Sequence, residues 1–372
     1  AHAIEPGLIL VKQVEDSGWI TLDSTLSLAN GARLYGGFDP SLTGTSHSLA
    51  GRALDSFNGT RIELEGGGDV VECNGAEGVV IDGFVLGRPE LNDSFDNRGL
   101  VLTECGPIRV ANVKVENLFH SPVAGVLWGV GVYCSNSTIE FENVRIEGNH
   151  GQGALLGGGS AFSVCDGSLE GVAFIGNTAE GFSAEGGTGD VVFGGGAFVY
   201  YSTLTFNNIT VRENQALGGS GQGPGAGLGG AAYGVGLAIV ASSPVVITNG
   251  SFIENSAVGG QGRTGEDADS EPNVEECVQP PTQGGDGANA LGGGLYADVP
   301  SLSVADTSFA LNSAAYGLGG PGGAGSGACS GGANGANGKA FGGGVAHNGE
   351  FLEGEGVSFA NNGPDNVADV SE

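Results

Sequence analysis

The chain has 372 residues and a formal net charge of −30, from 12 Lys and Arg against 42 Asp and Glu. Such acidity makes nucleic acids and anionic membrane surfaces poor partners. Glycine contributes 75 residues, yet 40% of the chain is hydrophobic and alternates with polar residues throughout, which excludes disorder. No run of 18 apolar residues is present, so no transmembrane helix is expected. The start at Ala1, without Met, is what a processed product would show.

Residues 1–68 are predicted to form irregular first rungs. Alternating apolar residues indicate strands at 8–11, 19–22, 26–28, 33–38 and 61–64. The polar stretch that follows Asp39-Pro40 predicts one lateral loop at residues 39–60.

Residues 69–193 are predicted to be a compact part with disulfide-bearing rungs. Short apolar strands end at Cys73, Cys105, Cys134 and Cys165, at spacings of 32, 29 and 31 residues. These spacings suit three short strands and three turns per rung. They also suggest that the four cysteines share one register position.

Residues 194–372 keep the strand pattern but lengthen one turn. The added residues are rich in glycine and fall at 218–230, 259–294 and 317–344. Long loops of this kind are usually functional. Alternatively, the glycine runs could pack against one another as extended polyproline-II-like segments. Either way, we expect Gly-rich lateral loops on one continuous solenoid, because insertions at one point of a repeat accumulate on one face.

A repeated unit runs through the chain, and one copy is GGGAFVYYSTLTFNNITVREN at 194–214. Such a unit cannot bury its own apolar face, so its copies must stack into an all-β solenoid. Each copy closes on an asparagine, which tolerates left-handed backbone angles and can hydrogen-bond the next rung. This predicts a structural ladder of Asn149, Asn177, Asn214, Asn255, Asn312 and Asn362.

Two motifs carry a family resemblance. The leads GGGAF, GGGLY and GGGVA pair with Phe-x-x-Asn at 174–177, 252–255, 309–312 and 359–362. They resemble the repeats of bacterial surface right-handed parallel β-helix proteins, including the polymorphic outer-membrane proteins. The opening at 26–40 is similar to the start of secreted bacterial β-helix proteins of unassigned function. The resemblance implies a single right-handed parallel β-helix and is nearly silent on activity. The sequence does not match the autotransporters of that group at its end, where they have a translocator barrel.

Six cysteines, an even number, predict disulfides and an oxidising, extracytoplasmic setting. Neighbouring rungs lie about 4.8 Å apart, within the reach of a disulfide. We therefore expect the pairs Cys73–Cys105 and Cys134–Cys165. Cys277 and Cys329 lie in successive glycine-rich inserts and would pair across them.

The densest acidic cluster offers a candidate calcium site. Asp267, Asp269, Glu271 and Glu275 could supply oxygen ligands. A solvated acidic loop is the alternative, and no cofactor is required by the sequence.

An enzymatic alternative depends on charged residues in equivalent strands. Lys114, Arg145 and Arg212 precede Glu116, Glu147 and Glu213, as a lyase base beside carboxylates would require. A glycosidase pair could be drawn from Asp69, Glu72, Asp82 and Glu104. Exposed charge ladders explain both sets equally well. Most aromatic residues are predicted at inward positions such as Phe162 and Phe193, so the sequence favours a non-enzymatic role.

The leading functional hypothesis is a secreted structural or adhesive β-solenoid that assembles with itself into an extracellular homopolymer or surface layer. The apolar strand of Leu8, Ile9, Leu10 and Val11 would add to the open edge of a neighbouring copy. The alternatives are a carbohydrate-active enzyme (a polysaccharide lyase or glycoside hydrolase) and a monomeric module that binds cell-surface glycans.

Overall fold

A computed structural model shows an all-β chain in which no described residue is helical. It describes residues 2–3, 8–12, 18–38, 59–94, 96–121, 126–185, 187–222, 227–242, 245–268, 277, 279–326 and 329–371. The predicted lateral loop at 39–60 therefore lies almost wholly outside the described residues. Within the described ranges, no helix is long and apolar enough to cross a membrane.

The strands are short and follow one another closely. The first fourteen are β1 (His2–Ala3), β2 (Leu8–Lys12), β3 (Ile20–Leu22), β4 (Leu26–Leu28), β5 (Arg33–Phe38), β6 (Thr60–Leu64), β7 (Gly68–Asn74), β8 (Val79–Asp82), β9 (Phe84–Gly87), β10 (Asn97–Thr103), β11 (Ile108–Glu116), β12 (Phe119–His120), β13 (Val126–Trp128) and β14 (Val132–Ser135). The next fourteen are β15 (Thr138–Glu147), β16 (His150–Gln152), β17 (Ala154–Leu156), β18 (Ser160–Ser163), β19 (Asp166–Glu170), β20 (Ala173–Ile175), β21 (Thr178–Glu180), β22 (Ala184–Glu185), β23 (Val192–Phe193), β24 (Ala197–Tyr200), β25 (Thr203–Asn207), β26 (Thr210–Arg212), β27 (Gln215–Leu217) and β28 (Gly221–Gln222). The last thirteen are β29 (Ala232–Tyr233), β30 (Leu237–Val240), β31 (Val245–Thr248), β32 (Ser251–Ile253), β33 (Ser256–Val258), β34 (Ala290–Leu291), β35 (Leu295–Ala305), β36 (Ser308–Ala310), β37 (Ser313–Ala315), β38 (Ala340–Phe341), β39 (Val345–Glu353), β40 (Ser358–Ala360) and β41 (Val367–Asp369).

Each strand pairs in parallel with the strand one circuit further along the chain, except the antiparallel pair β1–β2. From β12 onward a circuit contributes to five ladders rather than the predicted three. Ladder 1 runs through β14, β18, β24, β30, β35 and β39, and ladder 2 through β15, β19, β25, β31, β35 and β39. Ladder 3 runs through β15, β20, β26, β32, β36 and β40, ladder 4 through β12, β16, β21, β27, β33 and β37, and ladder 5 through β13, β17, β23, β29, β34 and β38. This stack of circuits fits a parallel β-solenoid.

Left-handed residues divide the circuits at the same places each time. The corner between ladders 2 and 3 has positive φ at Asn112, Asn143, Gly171, Asn208, Asn249, Asp306 and Gly356. The corner after ladder 3 has it at Asn117, Gly148, Gly176, Glu213, Glu254, Leu311 and Asn361. Glycine and asparagine adopt this conformation at low cost. Glu213, Glu254 and Leu311 adopt it because the neighbouring circuits fix the path of the chain.

The interior is one apolar core that extends along the whole stack. On ladder 3 the phenylalanine of each Phe-x-x-Asn motif points inward, and successive rings stack. The centroid distance is 4.7 Å from Phe252 to Phe309 and 5.2 Å from Phe309 to Phe359. Stacked rings of this kind add stability beyond the area they bury.

The asparagine series forms a buried hydrogen-bond ladder. Asn255 is typical: its Nδ2 donates to Asn312 Oδ1 at 2.8 Å and to the Val211 carbonyl at 2.9 Å. Its own Oδ1 accepts from Asn214 Nδ2 at 2.9 Å. The left-handed residue is the one before each ladder asparagine, not the asparagine itself. The ladder thus satisfies buried polar groups that the corner would otherwise leave unpaired.

The cysteines form the pairs Cys73–Cys105, Cys134–Cys165 and Cys277–Cys329, with Cα separations of 6.4, 6.5 and 4.9 Å. The expected common register position is wrong, however. Cys73 and Cys134 both align with Leu102 on ladder 1. Cys105 and Cys165 instead follow the left-handed residues Glu104 and Val164. The spacing of the cysteines along the sequence does not show where the corner falls. The prediction therefore assigned residues from two columns to a single register position.

The glycine-rich inserts lie beside the solenoid as a two-layer sandwich of extended segments. Segments that leave ladder 4 (217–222, 259–268 and 316–326) form one layer, and segments that return to ladder 5 (227–231, 280–289 and 329–339) form the other. Hydrogen bonds between layers recur at every third residue, as in Gly317 to Ala288, Gly320 to Gly285 and Gly323 to Thr282. A period of three is the repeat of polyproline II. The described parts of the inserts are therefore packed segments rather than open loops.

The predicted assembly strand, β2, lies at the amino-terminal end between β1 and β5. β2 pairs in parallel with β5 and in antiparallel with β1, where Ile9 and Leu10 face Ala3 and His2. Leu8, Ile9 and Val11 are half-buried, and Ile9 and Val11 pack against the core. The side chain of Leu10 lies outside the described set. Both edges of β2 thus have a partner within the chain.

Replacing a ladder asparagine should destabilise the fold. Asn255→Ala leaves two donors of Asn214 without an acceptor in a buried site, which should cost about 3 kcal/mol. Thermal unfolding followed by circular dichroism measures the loss. The matched control is Asn348→Ala, at an exposed residue with one bond to Asp298. Equal melting temperatures for the two variants would contradict a stabilising ladder.

Alanine substitutions at different glycines of the sandwich should have different effects. A Cβ added at buried Gly320 would lie 1.8 Å from the Arg263 carbonyl oxygen, whereas one at exposed Gly331 meets nothing closer than 3.5 Å. Gly320→Ala should therefore displace the segments and expose them to protease, while Gly331→Ala should behave as the parent chain. Limited proteolysis with mass spectrometry provides the readout. Cleavage in both variants alike would count against the packed sandwich.

A trough of aromatic side chains outside the core

A row of large apolar side chains runs along the outer face of ladder 5. One residue per circuit occupies the same register position, in the order Trp128, Leu156, Phe193, Tyr233, Leu291 and Phe341. All but Leu291 remain half-buried, so their rings and methyl groups reach solvent. The core does not need this outer row, because the inward side chains of the same strands already supply the core.

A second row faces the first from ladder 1. Its residues are Tyr133, Ala161, Phe198, Ala238, Tyr296 and Ala346. Rings alternate with alanines, so each ring can lie over a small neighbour. Its members Phe198, Ala238, Tyr296 and Ala346 are buried and pack with the first row as a cluster separate from the main core. We call the surface formed by these two rows the trough.

Glycine turns make the trough concave. Gly194, between ladders 5 and 1, has φ +63°, and a Cβ there would lie 2.2 Å from the Ala197 carbonyl oxygen. Equivalent turns contain Gly157, Gly234, Gly292 and Gly342, also at positive φ. Only glycine permits a turn this tight, and the tight turn brings the outer faces of the two ladders together. This explains the glycine lead of each repeat.

The rings are in contact along most of the trough. Phe193 stacks on Tyr233 with centroids 4.7 Å apart and lies 5.5 Å from Phe198. Tyr233 lies 5.2 Å from Tyr296, and Trp128 lies 5.9 Å from Phe198. Arg98 covers the Tyr133 ring at 5.6 Å at the amino-terminal end. The result is a chain of ring contacts along the stack from Tyr133 to Tyr296, in which Phe198 and Tyr296 are buried and Trp128, Phe193 and Tyr233 remain half-buried.

A cleft of about 620 Å³ opens at the carboxyl-terminal end of the trough. Its apolar lining comes from Tyr233, Leu291, Tyr296, Phe341 and Val370, and its polar lining from Asn289, Lys339, Asp369 and Ser371. The apolar side chains belong to ladders 5 and 1, whereas Asn289 and Lys339 end the returning segments of the sandwich. The solenoid and the sandwich therefore build the cleft together.

Burial, nearby charges and hydrogen bonds shift the pKa values of polar groups in the cleft. Burial, with a smaller effect of Asp298, raises the pKa of Tyr296 to about 12. Burial also raises the pKa of Tyr233. Hydrogen bonds from Ser371 lower the pKa of Asp369. At neutral pH the cleft thus presents protonated tyrosine hydroxyls as donors and an ionised carboxylate as an acceptor.

The trough corrects one prediction from the sequence. Phe162 is fully buried in the core, as expected. Phe193 is not inward: it is half-buried and belongs to the trough. Its neighbour Val192 is the buried residue. Because both sides of this short strand are apolar, alternation could not identify the inner side. The available signal was a pair of large residues five positions apart, Phe193 and Phe198, on either side of the glycine lead.

Of the four predicted calcium ligands, only Asp267 lies among the described residues. Asp267 is exposed, and its Oδ1 accepts the Ala324 amide at 2.7 Å. Asp269, Glu271 and Glu275 lie outside the described residues. No group of three or more metal-binding side chains occurs among the residues that are described.

The charged residues considered for catalysis are spread over several ladders. Lys114 aligns with Arg145, but Arg212 aligns with Ile175 and so occupies a different column from Arg145. Burial raises the pKa of Glu147, yet Arg145 and Lys114 outweigh it, so the net pKa is lowered. Asp69 pairs with Arg98, while Asp82 on another ladder contacts Arg109 and Asn112. Such paired side chains form charge ladders on the surface.

Comparison with known proteins adds no assignment: no family model, no curated protein and no solved structure matches this chain.

The raised pKa of Tyr296 predicts a pH effect on stability. An unfolded tyrosine loses its proton near pH 10, whereas folded Tyr296 keeps it to about 12. Its contribution is therefore complete below pH 10 and is lost as the pH rises from 10 to 12. Urea unfolding at about pH 9 and about pH 11 should show a smaller loss in Tyr296→Phe than in the parent, by at most about 1.4 kcal/mol per pH unit. Equal losses would contradict the burial of this hydroxyl.

Proposed function

We propose that the chain is a secreted, right-handed parallel β-helix that attaches to neutral glycans through the trough. The single observation that carries the proposal is the row of large apolar side chains, four of them aromatic, on the outer face of ladder 5, which spans six circuits from Trp128 to Phe341. Soluble proteins rarely expose contiguous apolar surface without a partner for it. The right hand follows from the strong preference of parallel crossover connections. Three disulfides support an extracytoplasmic location.

The chemistry of the trough favours a glycan over a peptide. Backbone groups along ladder 5 are already bonded between circuits: Gly194 N–H donates to the Tyr233 carbonyl, and Gly234 N–H to the Leu291 carbonyl. A peptide therefore finds no open strand edge in the trough to pair with. A sugar chain needs only apolar faces for its C–H groups and side-chain partners for its hydroxyls. Aromatic rings, tyrosine hydroxyls and Asn289 supply both.

Charge and length restrict the class of glycan. A chain with a net charge of −30 disfavours polyanionic polysaccharides. The rows repeat once per circuit, at a rise of about 4.8 Å, so six circuits present an extended surface. A linear, largely neutral polymer fits such a surface better than a compact ligand does.

The rival functions have less support. A homopolymer that grows by strand addition would need an open edge of β2, yet β5 pairs with one edge and β1 pairs with Ile9 and Leu10 on the other. An enzyme would need convergent acid and base groups beside the rings. Within the described ranges, the pair His120–Asp96 has neighbours of both signs but lies on ladder 4, whereas the rings lie on ladders 5 and 1. We therefore place adhesion ahead of assembly and catalysis.

Binding to neutral oligosaccharides tests the proposal. Trp128→Leu and Tyr233→Leu remove a ring but keep a side chain that already occurs in this row at Leu156 and Leu291, so the fold should persist. We expect each to weaken binding about tenfold, the effect of losing a central aromatic contact. Isothermal titration against cello-, xylo-, manno- and chito-oligosaccharides measures the affinity.

The matched control is Tyr316→Leu, because Tyr316 is an exposed aromatic residue on the sandwich and not in the trough. It should bind as the parent does. Absence of binding to every neutral oligosaccharide, or equal affinity for all four proteins, would refute the proposal.

A further inference from the structure

The lining of the cleft at the end of the trough includes Lys339, a lysine that has no ion pair among the described residues. Among the described residues, ion pairs hold Arg98, Arg109, Lys114, Arg145, Arg212 and Arg263. Lys339 has no such pair within the same described ranges, although the chain has more than three acidic residues for every basic one. Exposed Arg33 likewise has no ion pair among the described residues, but of these two cations Lys339 is the one that lines the cleft, so it is available to an anionic ligand bound there.

The fold fixes the position of Lys339 beside the rings. Its backbone N–H donates to Asn289 Oδ1 at 2.8 Å, and its carbonyl accepts the Ala290 N–H. Two residues later Phe341 ends the outer row of the trough. Lys339 is exposed, so its amine has the reach to meet a group bound against Phe341 and Tyr296.

The lining of the cleft also includes a carboxylate, that of Asp369. Asp369 ends β41, and its Oδ1 accepts the Ser371 amide at 3.0 Å. That bond holds the group ionised and orients it, and ionised carboxylates accept hydrogen bonds only. Sugar hydroxyls can donate to such an acceptor, whereas an anionic substituent would be repelled by it. The cleft therefore offers Lys339 to an anionic group and Asp369 to hydroxyls.

We infer that the cleft binds a sugar ring that carries one anionic substituent, with Lys339 beside the anion, Asp369 on the hydroxyls and Phe341 and Tyr296 under the C–H face. This inference rests on the proposed glycan binding and adds the identity of one subsite. Net acidity opposes a polyanion, so the anionic sugar is a single residue of an otherwise neutral glycan. The anion is either a carboxylate or a phosphate, and both present oxygens to an amine.

The experiment compares glucose, glucuronic acid and glucose 6-phosphate in saturation-transfer NMR titrations at low ionic strength. We expect at least one anionic sugar to bind about fivefold more tightly than glucose, with an advantage that falls as salt is added. Preference for glucuronic acid identifies a carboxylate, and preference for glucose 6-phosphate identifies a phosphate. Lys339→Gln should abolish the preference of the site for the anionic sugar over glucose. Arg33→Gln, which removes an exposed cation outside the trough, should leave the preference intact.

Two outcomes would overturn the inference. One is that neither anionic sugar binds more tightly than glucose, and the other is that the preference survives Lys339→Gln. If neutral oligosaccharides still bind through Trp128 and Tyr233 in those cases, the trough stands and only the subsite fails. If no sugar binds at all, both proposals fail together. Asp369→Asn should weaken glucose more than the anionic sugars, because it removes both an acceptor for hydroxyls and a charge that repels the anion, which separates its task from that of Lys339.

Discussion

Hydrogen bonding in register between successive circuits is the constraint on which the other features depend. Once each backbone group bonds the same group one circuit away, every corner must repeat the same dihedral angles and every column the same side of the strand. This is why residues as unlike as Gly176, Glu213 and Leu311 share a left-handed conformation. It is also why a single asparagine position can run as a ladder through six circuits, from Asn149 to Asn362. Columns that repeat can bury polar groups because each one satisfies the next.

The same constraint explains the outer surface. A glycine turn that is tight in one circuit is tight in all of them, so the concavity between ladders 5 and 1 extends along the stack as a trough. Side chains in the trough are free to vary in size, and they alternate between ring and alanine where the core columns do not. The sandwich follows the axis in step with the circuits and supplies the polar end of the cleft through Asn289 and Lys339. The proposed binding cleft therefore lies outside the core, where the solenoid and the sandwich meet.

Much of this arrangement could be predicted from the sequence, because repeats determine register. The strand pattern, the cysteine pairs and the asparagine series all follow from counting residues between like motifs. Counting failed where a corner intervenes, which is why Cys105 was aligned with Cys134 although it lies past the turn. It also failed on short strands with two apolar sides, as at Val192 and Phe193. The direction of such a side chain depends on the twist of the adjacent turn, and that information is not local.

The central claim is that the aromatic row lies outside the core and accepts a sugar chain. A crystal structure of the protein soaked with a neutral oligosaccharide tests it most directly. The account predicts sugar density along the rings from Trp128 to Phe341, with the chain parallel to the axis of the stack. Sugar bound elsewhere on the surface, or a row of rings turned into the core, would contradict it.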